Sequence, residues 1–254
     1  MFGLGRRHFL DEDLEAWCLD TWAWLMRNLG GMERLARTPL ITPSRDFFPP
    51  TEFEGEARAE YIFNCVKRWM GMADWWCELH AFDRPTRPEA GPLWAVQHGR
   101  QANGTFQVAN GQVRIRYARD LIDKPIDLVG VFAHELAHYR LATVAEPSPA
   151  GEEAHELETD LTVAFLGFGV FAANRAFSFE RHSQGWQTQR NGYLSERTWA
   201  FALALFLALK QDGGDIKRWL KPSLASDVAR AGRYLEKKVA LVDDLRSIVQ
   251  APAP

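Results

Sequence analysis

The chain has few cysteines, and their positions exclude two common uses of this residue. Only Cys18, Cys65 and Cys77 are present among its 254 residues. Their number is odd, and no pair has the spacing of a metal-binding or redox motif. The sequence therefore predicts neither a disulfide framework nor a cysteine-ligated metal site.

The chain also lacks long hydrophobic runs and a strong charge of one sign. Its longest apolar runs, about 161–173 and 199–209, are too short to cross a bilayer comfortably. Its first residues do not follow the pattern of a secretory signal peptide. The net charge of −3 provides no basic field for nucleic acid or an anionic membrane surface. We expect a bacterial-type cytoplasmic protein with no nucleic-acid or membrane partner, and the oligomeric state stays open.

Apolar spacing predicts a helical N-terminal part. One helix is expected from Asp11–Asp13 to Gly30-Gly31, and a second from about Glu56 to Met72. The proline-rich segment 83–92 is the best candidate for a domain boundary. The sequence therefore suggests an N-terminal helical lobe, 1–90, followed by a second domain, 91–254, although one compact domain is the alternative.

Two Asn-Gly pairs predict a small antiparallel sheet in the middle of the chain. Asn-Gly is the strongest short signal for a two-residue hairpin turn, and the pairs at 103–104 and 110–111 flank one short β-prone segment. A separate strand is expected near 76–82. The meander would have the strands Leu93–Gln101, Thr105–Ala109 and Gln112–Ala118.

The stretch His134-Glu135-Leu136-Ala137-His138 is the most informative motif in the chain. A helix predicted from Pro125 to about Leu141 would place the two histidines about 40° apart around its axis, so both imidazoles could reach one metal ion. Glu135 would lie about 100° from His134, close enough to act on a water at the metal. This arrangement is the one that metal-assisted hydrolysis requires.

A second acidic motif follows on a later predicted helix. Glu156 and Asp160 are four residues apart and share a helix face. That helix is expected to continue to about Phe177, and further helices are expected over about 195–211 and 224–249. The rival acidic and histidine residues are Glu152, Glu153, His155 and Glu158, of which we interpret Glu158 as a solvated first-turn carboxylate.

The two motifs together resemble those of the gluzincin metallopeptidases, the thermolysin-like clan, over roughly residues 112–165. The metzincin pattern is excluded, since Leu141 and Val144 stand where it needs glycine and histidine. The resemblance implies that His134, His138 and Glu156 bind one zinc ion per chain. It also implies that Glu135 is the general base, and that Asp160 is the carboxylate that orients a ligand histidine.

The resemblance further implies a substrate edge and an oxyanion donor. In gluzincins an edge strand beside the cleft pairs with an extended peptide, and the strand at this position would present Val113, Ile115 and Tyr117. An ordinary edge strand is the alternative interpretation. No spacing rule selects the oxyanion donor, which stays unassigned among His182, Tyr193 and Arg197.

The sequence as a whole predicts an α+β protein, predominantly helical and zincin-like, with a small antiparallel meander before the motif helix. The predicted function is a soluble zinc metallopeptidase that cleaves a peptide or protein substrate. The alternative is a non-catalytic zinc-binding regulatory or peptide-binding protein on the same fold. Because the expected general base, Glu135, is present, the sequence favours the enzyme.

Overall fold

Helices dominate the structure, and the strands form one small sheet. The structure is a computed structural model that describes residues 8–84, 103–149, 151, 154–180, 194–211 and 215–249. These elements confirm the predicted α+β class. In these ranges the strands are β1 (Glu78–Phe82), β2 (Gly104–Ala109) and β3 (Gln112–Ala118), and the helices are α1 (Glu12–Asn28), α2 (Gly31–Arg37), α3 (Gly55–Trp69), α4 (Pro125–Leu141), α5 (His155–Phe165), α6 (Gly169–Glu180), α7 (Glu196–Lys210), α8 (Pro222–Leu235) and α9 (Val239–Arg246).

Local sequence signals set several helix ends. The side chain of Asp11 accepts a hydrogen bond from the backbone N–H of Asp13 and caps α1. The hydroxyl of Ser195 accepts one from the N–H of Thr198 at the start of α7. Pro125 occupies the first turn of α4, where its missing N–H costs nothing. The helices predicted at these positions are confirmed.

The single helix predicted from Glu156 to about Phe177 is wrong, because the chain breaks into α5 and α6. Gly167 lies between them in the left-handed region, at φ +88°. A side chain there would collide with the carbonyl oxygen of Pro39, and the carbonyl of Gly167 accepts a hydrogen bond from the N–H of Ile41 at 2.9 Å. A tertiary contact, invisible in the continuous apolar run, ends the helix.

The chain divides into two compact units. The sheet unit is Pro43–Thr143, and the helical unit combines Met1–Thr42 with Val144–Pro254. This division differs from the boundary suggested near residue 90. The reason lies in the sheet: β1 precedes the proline-rich segment, yet it pairs with β3, which follows that segment.

The sheet is mixed, with strand order β1-β3-β2, so the antiparallel meander is only partly correct. β2 and β3 form the predicted hairpin, whose turn residues Asn110 and Gly111 have φ values of 53° and 74°. β1, however, pairs with β3 in parallel. The predicted turn at 103–104 is wrong, since Gly104 already belongs to β2, and the predicted strand Leu93–Gln101 lies outside the described residues.

In the sheet unit, α4 packs against α3 and against β2 and β3. The ring of Phe132 in α4 makes edge-on contacts with Phe63 of α3 and Tyr117 of β3, at centroid distances of 5.1 Å and 5.4 Å. Ile115, two residues before Tyr117 on the same face of β3, is also fully buried. This core fixes the motif helix against the sheet by burial of large apolar side chains.

In the helical unit, α7 packs against α2, α5, α6, α8 and α9. Its apolar side chains are buried all round, as expected for a central helix. The ring of Trp22 in α1 contacts Phe165 of α5 at 5.6 Å. None of the helices in the described ranges has the length and hydropathy needed to span a membrane.

Candidate metal centre

Helix α4 brings the two motif histidines together, as the sequence predicts. The ring centroids of His134 and His138 are 4.7 Å apart, and the ring planes are inclined by 83°. Their Nε2 atoms are 3.1 Å apart. His138 is buried to 9% exposure, whereas His134 is half-buried. The Nε2 atoms of the two rings are therefore close enough together to reach one metal ion.

This spacing matches what a tetrahedral zinc ion requires. Two nitrogens bound at 2.0–2.1 Å in tetrahedral geometry are about 3.3 Å apart. At this distance one imidazole can donate its Nε2–H to the other. If both nitrogens instead keep their lone pairs, a bound cation would remove the repulsion between them. The two histidines of α4 therefore fit the nitrogen ligands of a zinc site.

Glu156 of α5 is the carboxylate that completes the candidate ligand group. One ligand atom from each of His134, His138 and Glu156 lies within 4.8 Å of the others. Two imidazoles and one carboxylate are a ligand set found in catalytic zinc sites, where the fourth position is left for water. These are the three residues that the resemblance implies as ligands.

Glu135 lies on α4 between the histidines and does not belong to that ligand group. Its side chain is buried to 6% exposure and lies against the first residue of β2. A Cβ atom built at Gly104 would be only 2.7 Å from Glu135 Oε1. The carboxylate is therefore held beside the strand backbone rather than extended into solvent.

Phe106 of β2 also packs against the motif helix. The ring of Phe106 lies parallel to that of His138 within 8°, at a centroid distance of 6.2 Å. It also stacks with Tyr139 at 5.8 Å. Gly104 and Phe106 are two residues apart, so they share one face of the strand. That face of β2 packs on Glu135 and His138.

Asp160 is buried to 4% exposure in α5, and its Oδ2 accepts a hydrogen bond from the N–H of Leu194 at 3.1 Å. Burial and this charge-assisted hydrogen bond restrict the position of the Asp160 carboxylate. The interpretation that Asp160 orients a ligand histidine stays a prediction.

One of the rival ligands, Glu158, differs from its predicted surroundings. Glu158 is buried to 2% exposure, so its interpretation as a solvated carboxylate is wrong. Its Oε2 lies 3.9 Å from Nδ1 of His155, which is half exposed. Neither residue belongs to the candidate metal-binding group among the described residues. Glu152 and Glu153 lie outside those residues.

The predicted peptide-binding edge is also wrong, because β3 is the central strand. It pairs with β1 on one side and β2 on the other. Val113, Ile115 and Tyr117 are buried in the core of the sheet unit. Alternation in β3 marks burial of one face, and no local signal revealed that β1 would occupy its second edge. In the part of the chain that the structure describes, β2 pairs with β3 alone.

Of the three candidate oxyanion donors, Arg197 has a structural role. Its Nε–H donates to the carbonyl of Phe9 at 2.7 Å, and its guanidinium lies 4.7 Å from the centre of the Phe9 ring. The arginine therefore fixes the first described residues to α7. His182 and Tyr193 lie outside the described residues.

Sequence reasoning missed Gly104 and Phe106, the residues of β2 that contact the motif helix. Because an Asn-Gly pair typically marks a turn, the sequence indicated that Gly104 serves the backbone conformation. It did not indicate a close contact with a neighbouring helix. No protein-family model, curated protein or solved structure matches the chain. The candidate centre thus depends on the residues and geometry described above.

Proposed function

We propose that the chain is a zinc metallopeptidase with a zincin-like arrangement. The observation that carries the proposal is the convergence of His134, His138 and Glu156 on one point, with Glu135 between the histidines. The mixed nitrogen and oxygen set favours zinc over magnesium or calcium, which prefer oxygen ligands alone.

His134, His138 and Glu156 would hold the ion, and Asp160 would orient a ligand histidine. When bound, zinc supplies Lewis acidity toward a water molecule and toward the scissile carbonyl. Glu135 takes a proton from the attacking water and delivers it to the leaving amine. Its burial beside Gly104 keeps the carboxylate in place and limits its access to bulk water.

In this proposal the substrate pairs with β2 rather than with β3. Among the described residues β2 has one edge without a partner strand, and such an edge offers N–H and C=O groups to an extended peptide. β2 also lies directly against α4, through Gly104 and Phe106. A peptide added there would run beside the motif helix, which is where Glu135 must act.

Removal and return of the metal tests this function. We expect the purified full chain to cleave peptides in a fluorescence-quenched peptide mixture, to lose that activity after chelation, and to regain it with zinc but not with magnesium. His138→Ala should prevent the recovery. His80→Ala is the matched control, since His80 is an exposed histidine of β1 in the same unit.

The outcomes separate the proposal from its alternative. Zinc binding without cleavage of any peptide would favour the non-catalytic zinc protein. Cleavage that survives complete removal of the metal would contradict a metal-dependent mechanism.

A further inference from the structure

Gly104 is the point of closest approach between β2 and the motif helix. A Cβ atom there would lie 2.5 Å from Cγ1 of Val131, 2.7 Å from Oε1 of Glu135 and 3.0 Å from Cγ of Glu135. Carbon and oxygen atoms at such separations overlap, since optimal contacts lie near 3.5–4.0 Å. Position 104 therefore has no room for any side chain while Val131 and Glu135 keep their places.

The two colliding residues belong to one face of α4. Val131 and Glu135 are four residues apart and lie on successive turns. Val131 is 1% exposed, and its branched side chain has one preferred rotamer in a helix. It cannot rotate away from a new side chain on β2. The carboxylate of Glu135 is the more movable of the two groups.

The start of β2 is itself held in place and cannot easily withdraw. The carbonyl of Asn103 accepts the N–H of Ala118 at 2.9 Å, and its side-chain oxygen accepts a hydrogen bond from Arg84. Arg84 also lies 3.3 Å from the carboxylate of Asp120. These contacts hold Asn103 to the end of β3 and to Arg84, so the start of β2 cannot easily move away from α4.

The φ angle of Gly104 is not positive, so the backbone there does not require glycine. The residue pairs regularly with Tyr117 in the β2–β3 ladder. At this position glycine is needed only because it has no side chain. Other glycines, such as Gly30 and Gly111, have positive φ values and serve the backbone.

We propose that Gly104 is a positioning residue for Glu135: its missing side chain lets the carboxylate occupy a fixed position against β2. This inference rests on the proposed function, because it concerns how Glu135 is aimed at the attacking water. It adds a residue outside both sequence motifs to the set that determines turnover.

Gly104→Ala tests whether the missing side chain at position 104 positions Glu135. We expect kcat for the best-cleaved peptide of the mixture to fall by about 10- to 100-fold, because a displacement of about 1 Å at a reacting group can cost that much. Zinc affinity should change much less than kcat, since the atoms nearest to position 104 belong to Val131 and Glu135 and not to the candidate ligands. KM should also change less than kcat. Gly232→Ala is the matched control: a Cβ there meets nothing within 4 Å.

A second substitution separates positioning from simple packing. Val131→Ala removes the Cγ1 atom that position 104 would strike and leaves the collision with Glu135. We expect Gly104→Ala to lower the urea midpoint much less in the Val131→Ala background than in the wild-type background. The kcat of the double variant should stay low. Recovery of kcat together with stability would overturn the inference, because Gly104 would then serve only packing.

The outcomes for the inference and for the function are distinct. An active enzyme in which Gly104→Ala keeps the wild-type kcat overturns the inference alone. A wild-type chain that binds zinc and cleaves no peptide overturns the proposed function, and the inference with it. The contact between Gly104 and Glu135 can also be tested without turnover. It is supported if Gly104→Ala lowers the urea midpoint less in a Glu135→Ala background than in the wild type.

Discussion

Replacing Glu135 by glutamine is expected to lower kcat by about 10²–10⁴-fold and to leave the bound zinc in place. Glutamine keeps the size of the side chain and its fit beside Gly104, but it cannot accept the proton of the attacking water. Zinc should remain because Glu135 lies outside the proposed ligand group of His134, His138 and Glu156. Turnover with the best-cleaved peptide and metal content by elemental analysis, measured on the same preparation, check both parts.

Glu60→Gln is the matched control for this substitution. Glu60 is an exposed glutamate on α3, in the same unit as Glu135, and its replacement should change neither zinc content nor kcat. Wild-type turnover in a purified Glu135→Gln enzyme would remove Glu135 from the role of general base. Loss of zinc from that variant would instead place its carboxylate among the ligands.

Replacing Glu156 by alanine is expected to weaken zinc binding by more than about 100-fold. Removal of a group that only orients a ligand costs about 10–100-fold in affinity, and a direct ligand contributes more. The zinc dissociation constant, measured by competition with a chelator of known affinity, gives the result. Peptide cleavage should fall in parallel when zinc is limiting, and excess zinc should restore part of it.

Glu158→Gln provides the control on the same helix. Glu158 is two residues further along α5, and its buried carboxylate lies near His155 rather than in the candidate ligand group. Because glutamine keeps the shape of the side chain, zinc affinity should stay at the wild-type value. If Glu158→Gln weakens zinc binding more than Glu156→Ala does, the third ligand has to be reassigned to Glu158.

Sequence signals that act within a few residues predicted the local structure well. Asp11, Pro125 and Ser195 mark helix starts, and Asn110-Gly111 marks the hairpin between β2 and β3. Each signal works because a side chain or a backbone preference stabilises a conformation of its immediate neighbours. The i, i+4 spacing of the two histidines belongs to the same class and predicted their convergence on one face of α4.

Features that depend on distant parts of the chain could not be predicted. The parallel pairing of β1 with β3 joins residues on opposite sides of the proline-rich segment. The break between α5 and α6 depends on Pro39, which approaches Gly167 from far earlier in the sequence. The contact between Glu135 and Gly104 forms only when β2 packs on α4. A pattern of apolar residues carries no information about such neighbours.

The number of zinc ions per chain in the purified, tag-free protein tests the central claim most directly. Elemental analysis after extended dialysis should find about one zinc ion per chain, because three protein ligands would hold the ion. A preparation that contains no zinc, and takes up none under conditions that load other zinc proteins, would contradict the metal centre and every role assigned to it.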